Sequence, residues 1–398
     1  MSKKNQTPDY APPAEESANV AVKQPKKKKK KKGSGLFGRI VRRFFLLLFT
    51  IIVLILAALV LVMNLIFNGP SPAAREVLTM SLLEPSATKW IPGLFLDDET
   101  LNTIRNGSGI ELTEEVTDTS KVVINRTSSL SGNNNEWADH PDGVRFEEYQ
   151  GSTFNAHIMI VRDPSQVFMG TSTESYSTSI PGKRLNVVMD EADDSIIAAV
   201  NAGAFFDNGT SDPIVGSVPA GLVYSEGEKV WDAYHGYIPA ETGGGFVGFN
   251  DDDILVVAKS MTAAKAEEQN IRDGCEFGPV LIINEEVNMD AYNSASGWNP
   301  RTAIGQREDG AVIFVCIDGR QAGSVGGTYK DVIDIMIEYG AVNACNLDGG
   351  SSSVMLYRDT SGLFGEAGQV QMINSYSVLQ SQPRRMPNYW LVRAFSEE

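Results

Sequence analysis

Cysteine and histidine are scarce in this chain. Three cysteines (Cys275, Cys316 and Cys345) and three histidines (His140, His157 and His235) are spread over 398 residues. An odd thiol count excludes a fully paired disulfide framework. None of the histidines has a second ligand at a zinc-site spacing. Cys316 and Cys345 lie inside apolar runs and read as small core side chains. Positive charge is missing from most of the length. Residues 1–43 hold 13 Lys+Arg against 3 Asp+Glu, and the rest hold 21 against 47, a net of −26. That acidic majority excludes nucleic-acid binding by phosphate neutralisation.

Charge of either sign is absent from residues 44–67, where Thr50 and Asn64 are the only polar side chains in 24 residues. A bilayer core takes roughly 20 apolar residues as a helix. A buried helix of a soluble domain would show a polar face, and the apolar region of a cleaved signal peptide is shorter, about 7–15 residues. The stretch therefore reads as one transmembrane helix. Lys26–Lys32 and Arg39, Arg42 and Arg43 precede it. Basic flanks stay cytoplasmic, so the expected topology is single-pass in the cell membrane, with the N-terminus inside and the remainder outside. The lysine run either only fixes that topology or also rests on anionic lipid.

Four regions follow: 1–43, a basic cytoplasmic tail, disordered by its Lys, Pro and Ala content; 44–67, the span; 68–142, a stalk; and 143–398, a compact catalytic domain. In the stalk a helix is expected at 73–83 and a strand at 122–126. In the domain, short apolar segments alternate with turns. GLVYSEGEKV (221–230) and TAIGQREDGAVIFVCIDGR (302–320) read as hairpins turning at Glu226-Gly227 and Asp309-Gly310. Residues 154–163, 195–207, 278–287 and 354–358 contain further strands. Residues 327–341 form the clearest helix. Thr328 and Asp331 make a capping-box variant, Val332, Ile335, Met336 and Tyr339 share one face widened by Ile333 and Ile337, and Gly340 stops it. The fold class is α+β, mostly strands with a few helices packed on a mixed sheet.

Polar residues and glycines gather at the ends of apolar strands. AAVNAGAFFD carries Asn201, Gly203 and Asp207; WNPRTAIGQ carries Arg301 and Thr302; VCIDGR carries Asp318; NLDGGSSS carries Asp348, Gly349, Gly350 and Ser351. Strand ends hold reactive groups on a rigid frame. Glycine lets backbone approach a ligand closely, and successive amides bind anions. Arginine forks onto phosphate, and two carboxylates divide acid, base and nucleophile roles. The set suits hydrolysis at a sugar carrying a phosphate. Each piece alone has a plainer reading, since a lone Asp before Gly is commonly a turn residue. The run Asp251–Asp253 reads as a hairpin turn; a divalent cation such as calcium is the alternative, although EF-hand spacing is lacking. The metal requirement stays open.

NAGAFFD, FGPVLI, NPRTAIGQ, FVCIDGR, GGTYKDVIDIMIEYGAVNACNLDGGSSSVM and PRRMPNYWLV together resemble the phosphodiester glycosidase family, in order, over about 145–396. The resemblance implies cleavage between a sugar anomeric carbon and a phosphodiester, on N-acetylglucosamine-type or cell-surface glycopolymers such as exopolysaccharide or cell wall. It implies that Asn201, Asp207, Arg301, Asp318, Asp348, Gly349, Gly350 and Ser351 line one pocket. Within it, Asp207, Asp348 and Arg301 are taken as catalytic, Arg301 holding phosphate. Asn201, Gly203, Thr302, Asp318, Gly349, Gly350 and Ser351 are taken as substrate-binding. The alternatives are a non-catalytic carbohydrate-binding module and a glycopolymer-assembly transferase on the same fold.

Overall fold

The computed structural model describes residues 36–83, 88–106, 116–122, 137–206, 216–233, 245–294, 296–359, 368–376, 380 and 382–395. Asp207, His235 and the 123–126 part of the expected strand lie outside these, as does the tail up to residue 35. Two compact units are present, Met1–Val60 and Leu61–Glu398.

In the described part of the first unit the chain is helix. Helix α1 (Leu36–Phe67) begins before the expected span and takes in Arg39, Arg42 and Arg43. Its apolar portion is solvent-exposed along nearly its whole length, and it is long and apolar enough to cross a membrane.

The second unit is built on three sheets. The largest runs in the order β1 (Val144–Gln150), β2 (Asn155–Val161), β14 (Val312–Ile317), β13 (Arg301–Arg307), β15 (Ala341–Leu347), β11 (Val280–Ile283) and β12 (Glu286–Val287). A second has the order β7 (Glu228–Asp232), β6 (Leu222–Ser225), β10 (Ile271–Glu276), β8 (Phe246–Asn250) and β9 (Leu255–Ala258). The third has β17 (Val370–Met372), β16 (Met355–Arg358), β5 (Ile196–Asn201), β19 (Asn388–Arg393) and β3 (Val167–Thr171). A small ribbon pairs β18 (Arg385–Met386) with β4 (Lys183–Arg184). Every described pairing is antiparallel, so strand direction is not mixed as expected. Both expected hairpins are present as β6–β7 and β13–β14.

Side-chain alternation on the large sheet separates two cores. Met159, Ile304, Phe314, Cys316, Cys345 and Leu347 face the other two sheets. Ile158, Ala303, Val315, Ile317 and Ala344 face helix α7 (Tyr329–Glu338), which buries Val332, Ile333, Ile335 and Met336. Thr328 and Asp331 close the capping box, and Gly340 takes φ +80° just after the helix. Ile337, expected on the apolar face, is half exposed. Phe249 meets Trp390 edge-on at 5.7 Å and joins the two smaller sheets. All three cysteines are buried and free.

Described parts of 68–142 hydrogen-bond to the domain. In helix α2 (Pro72–Leu83), Ser81 Oγ accepts from the Trp298 amide at 2.8 Å. Thr117 exchanges hydrogen bonds with Val257, and the Asp118 amide donates to Asn284 Oδ1 at 2.8 Å.

Candidate active site

Strands β5 and β15 end, and β13 begins, at one edge of the layered sheets, and Asn201 ties them there. Its Oδ1 accepts from Thr302 Oγ1 and from the Val354 amide, each at 3.0 Å, and its Nδ2 donates to the Asp348 carbonyl at 2.5 Å. Asn201 and Thr302 are both fully buried. Asp348 follows β15 half-buried, its amide donating to the Ala202 carbonyl at 3.0 Å. Three of the sequence-selected residues therefore meet directly.

The small residues after Asp348 are required by close backbone approach. A Cβ on Gly349 would stand 2.9 Å from the Pro300 carbonyl oxygen. Gly350 takes φ +63°, its amide donates to Pro300 O at 2.9 Å, and a Cβ there would stand 3.1 Å from a terminal nitrogen of Arg320. The turn that Gly350 opens carries Ser351, whose carbonyl accepts from Gln380 Nε2 at 2.7 Å.

Between this turn and the loop after β14 lies a small cleft of about 10 Å³, walled by Pro300, Arg320, Gly350, Ser353, Tyr376 and Gln380. Arg320 is exposed, with φ +58°, and donates to Asn299 Oδ1 at 3.0 Å. The Ser353 and Tyr376 hydroxyls are buried without a hydrogen-bond partner among the described residues. Burial pushes the Tyr376 hydroxyl far above its ordinary range, and the nearby Cys316 adds to the rise. The rim of the cleft thus offers a guanidinium, a tight glycine turn and hydroxyl groups, a donor set suited to an anionic group such as phosphate.

Arg301 is engaged elsewhere. It is 3% exposed; its Nε donates to the Gly327 carbonyl at 3.1 Å, and one terminal nitrogen donates to the carbonyls of Ser296 and Gly297 at 2.5 and 3.0 Å. Its guanidinium also stacks over Tyr329 at 4.3 Å. Arg301 and Thr302 are neighbours on β13, so their side chains leave opposite faces. Thr302 points between the sheets toward Asn201, and Arg301 points to the helix side. Gly203 is buried against β10, where a Cβ would meet Cys275 Cβ at 2.8 Å, and its amide donates to Asn388 Oδ1 at 3.0 Å.

Two arrangements escape sequence reasoning. His157 Nε2 stands 3.2 Å from Asp318 Oδ2, while Asp318 Oδ1 accepts from the Ser375 amide at 2.7 Å. Ser375 also lines the cleft. The pair forms because β2 and β14 align His157 with Cys316, two residues before Asp318 on the same face. Glu276 ends β10 and is 9% exposed. Its carbonyl accepts from the Ala204 amide at 2.9 Å, and its Oε1 has no hydrogen-bond partner among the described residues. Burial raises its carboxyl to about 7; a hydrogen bond from the Leu222 amide opposes the rise, and the Asp232 carboxylate adds to it. Its only signal in sequence is its position just before FGPVLI.

Asp253 accepts from Arg272 at 3.0 Å, and Asp251 and Asp252 form a turn. Among the described residues no group of three His, Cys, Asp or Glu side chains is placed to hold a metal ion.

The phosphodiester glycosidase family model matches residues 194–393. The SPbeta prophage-derived uncharacterized protein YomE of Bacillus subtilis (strain 168) is 29% identical over 196 residues, 48% of this chain and 27% of that protein. The chain thus spans about a quarter of that relative's length. Among solved structures, the zebrafish N-acetylglucosamine-1-phosphodiester alpha-N-acetylglucosaminidase catalytic domain, auto-inhibited by its pro-peptide, matches with TM-score 0.48 and 18% identity, over 63% of this chain and 82% of that one. A hypothetical protein from Synechocystis matches with TM-score 0.40 and 16% identity, over 63% and 62%.

Proposed function

The chain belongs to the phosphodiester glycosidase family, and from that premise we propose that it is a membrane-anchored hydrolase cleaving the bond between a sugar anomeric carbon and a phosphodiester. The substrate is an N-acetylglucosamine-type or cell-surface glycopolymer phosphodiester. The anchor is the apolar part of α1. Its basic flank keeps the N-terminus cytoplasmic and the domain outside the cell.

One observation carries the reading. Asn201 and Thr302 lock to the Asp348 stretch, and Gly350 closes on Pro300 beside Arg320, so four separate stretches converge on one cleft edge. In this reading Arg320 and the Gly350 turn hold the phosphate, and Asp348 works at the anomeric carbon with Asp207 as its partner. Arg301 acts as a positioning residue through the 296–297 and 327 backbone. Attack on the anomeric carbon breaks its bond to the phosphate oxygen, and the electron pair leaves with the phosphate. Phosphate is a weak base, with a second pKa of about 6, so departure relies on charge stabilisation by a guanidinium more than on a strong acid. The carboxylates then serve chiefly as nucleophile or base.

The full chain in detergent, incubated with UDP-N-acetylglucosamine and with a sugar-phosphate-methyl diester, should release free sugar, and Asp348→Asn should not. A binding-only module is the second reading. It is favoured by the engagement of Asn201, Thr302 and Arg301 within the chain itself. Glycan binding without release by folded wild type would select it, and sugar transfer to an acceptor other than water would select a transferase.

A further inference from the structure

Three of the large exposed apolar side chains of the second unit, Trp90, Leu94 and Trp298, stand on segments tied to one end of α2. The last residue of α1, Phe67, is fully buried and stacks on Phe95 with ring centroids 4.9 Å apart. Phe95 closes the short turn Pro92–Leu94. On that same segment Trp90 is 62% and Leu94 67% exposed. Thr88 Oγ1 donates to the Leu82 carbonyl at 2.9 Å and fixes the segment to α2. One residue earlier, Ser81 holds the amide of Trp298, itself 42% exposed. Gly297, at φ +68°, lets that loop close, since a Cβ would meet the Ser81 nitrogen at 2.4 Å.

We propose that Trp90, Leu94 and Trp298 form a lipid-facing surface that seats the domain on the bilayer entered by α1. This rests on the membrane-anchor reading above. Tryptophan concentrates at membrane–water interfaces because its ring is apolar and its N–H is polar. The occupant is identified by continuity, because the Phe67–Phe95 stack joins the end of the apolar helix to the segment bearing Trp90 and Leu94. Ser81 stands about 14 Å along α2 from its start, and α2 begins at Pro72, soon after Phe67. Asp97, Asp98 and Glu99 follow directly, so the attraction is apolar rather than electrostatic and needs no anionic lipid. Trp298 lies two residues before Pro300, a wall of the cleft, so this docking holds the cleft close to the headgroups.

The test uses the full chain in phosphatidylcholine vesicles whose acyl chains are brominated near the headgroup. The tryptophans are Trp90, Trp137, Trp231, Trp298 and Trp390. Bromine should quench part of their emission, and the double variant Trp90→Phe, Trp298→Phe should lose most of that quenching with unchanged circular dichroism. An alkaline carbonate wash separates the two readings. Protein retained in the membrane but unquenched, or a double variant quenched like wild type, overturns the docking surface alone. Protein washed off overturns the anchor reading and this surface with it.

Discussion

Arg301 and Arg320 stand at the two open ends of one antiparallel hairpin, yet they serve different regions. Around Arg301, Asn201 and Thr302 the chain is closed. These side chains are buried, and their hydrogen bonds go to carbonyls and side chains of the protein. Around Arg320 the chain is open. The arginine is exposed beside a cleft whose Ser353 and Tyr376 hydroxyls have no partner among the described residues. Buried polar groups in native proteins are nearly always hydrogen-bonded, so a knot with its bonds made reads as framework. A rim with bonds still to make reads as the side that meets a ligand. Asp348 links the two, its backbone in the knot and the Gly349–Gly350 turn of the rim directly after it, and in the proposed mechanism its carboxylate works at the anomeric carbon. Asp348→Asn should therefore give the largest effect on turnover, a loss of about 10²–10⁴-fold in sugar release, with the thermal midpoint nearly unchanged. Full activity in this variant would remove Asp348 from the mechanism.

The two arginines should separate next. Arg301→Ala removes the donor to three buried carbonyls and should destabilise the domain by about 3 kcal/mol or more, measured by urea unfolding. Arg301→Lys should not rescue it, because an ammonium cannot reproduce the planar fork. Arg320→Ala should leave the unfolding midpoint in place and lower kcat/KM by about 10–100-fold, about 1.4–2.8 kcal/mol of transition-state contact. Reversed outcomes would exchange the roles of framework and rim.

That split shows what the sequence makes legible. Local features are readable because their causes are local: the capping box of α7, the glycine after it, and hairpin turns with Glu226 at φ 51° and Gly310 at φ 90°. The strand-end motifs were also visible as a set. The aim of each side chain was not, because it depends on face. Arg301 and Thr302 are adjacent on a strand and cannot both enter one pocket, a constraint that the period of two already contains. His157 and Asp318 meet only because β2, early in the domain, pairs with the distant β14. Glu276 acquires its character from burial beneath residues far away in sequence. The hydrogen bond from Trp298 to Ser81 of α2 is equally nonlocal.

Glu276 extends the comparison to proton binding. Its folded pKa is about 7 against an ordinary 4.5. Between those values the folded protein keeps the proton and the unfolded chain has released it. Its contribution to stability is therefore intact below pH 4.5 and falls as pH rises toward 7, by up to about 3 kcal/mol. Urea unfolding across pH 4.5–8 should show this decline, and Glu276→Gln should flatten it. If this carboxyl also takes a proton during turnover, the variant will lose the pH-rate limb near 7 as well. A flat wild-type profile would mean that the carboxyl is better solvated than its burial implies.

The smallest expected effect is the most discriminating. Tyr376 and Tyr389 are both largely buried tyrosines, but the Tyr389 hydroxyl donates to the Met386 carbonyl at 2.6 Å, whereas that of Tyr376 has no partner among the described residues. Removing a bonded hydroxyl leaves a buried acceptor and costs about 1 kcal/mol, while removing an unbonded one is neutral or stabilising. Tyr389→Phe should therefore lower the unfolding midpoint and leave KM unchanged. Tyr376→Phe should hold or raise the midpoint and raise KM a few-fold, if substrate supplies the missing bond. Equal destabilisation by both variants would mean that the Tyr376 hydroxyl is bonded within the fold, and the open side of the comparison would shrink to Arg320 and Ser353.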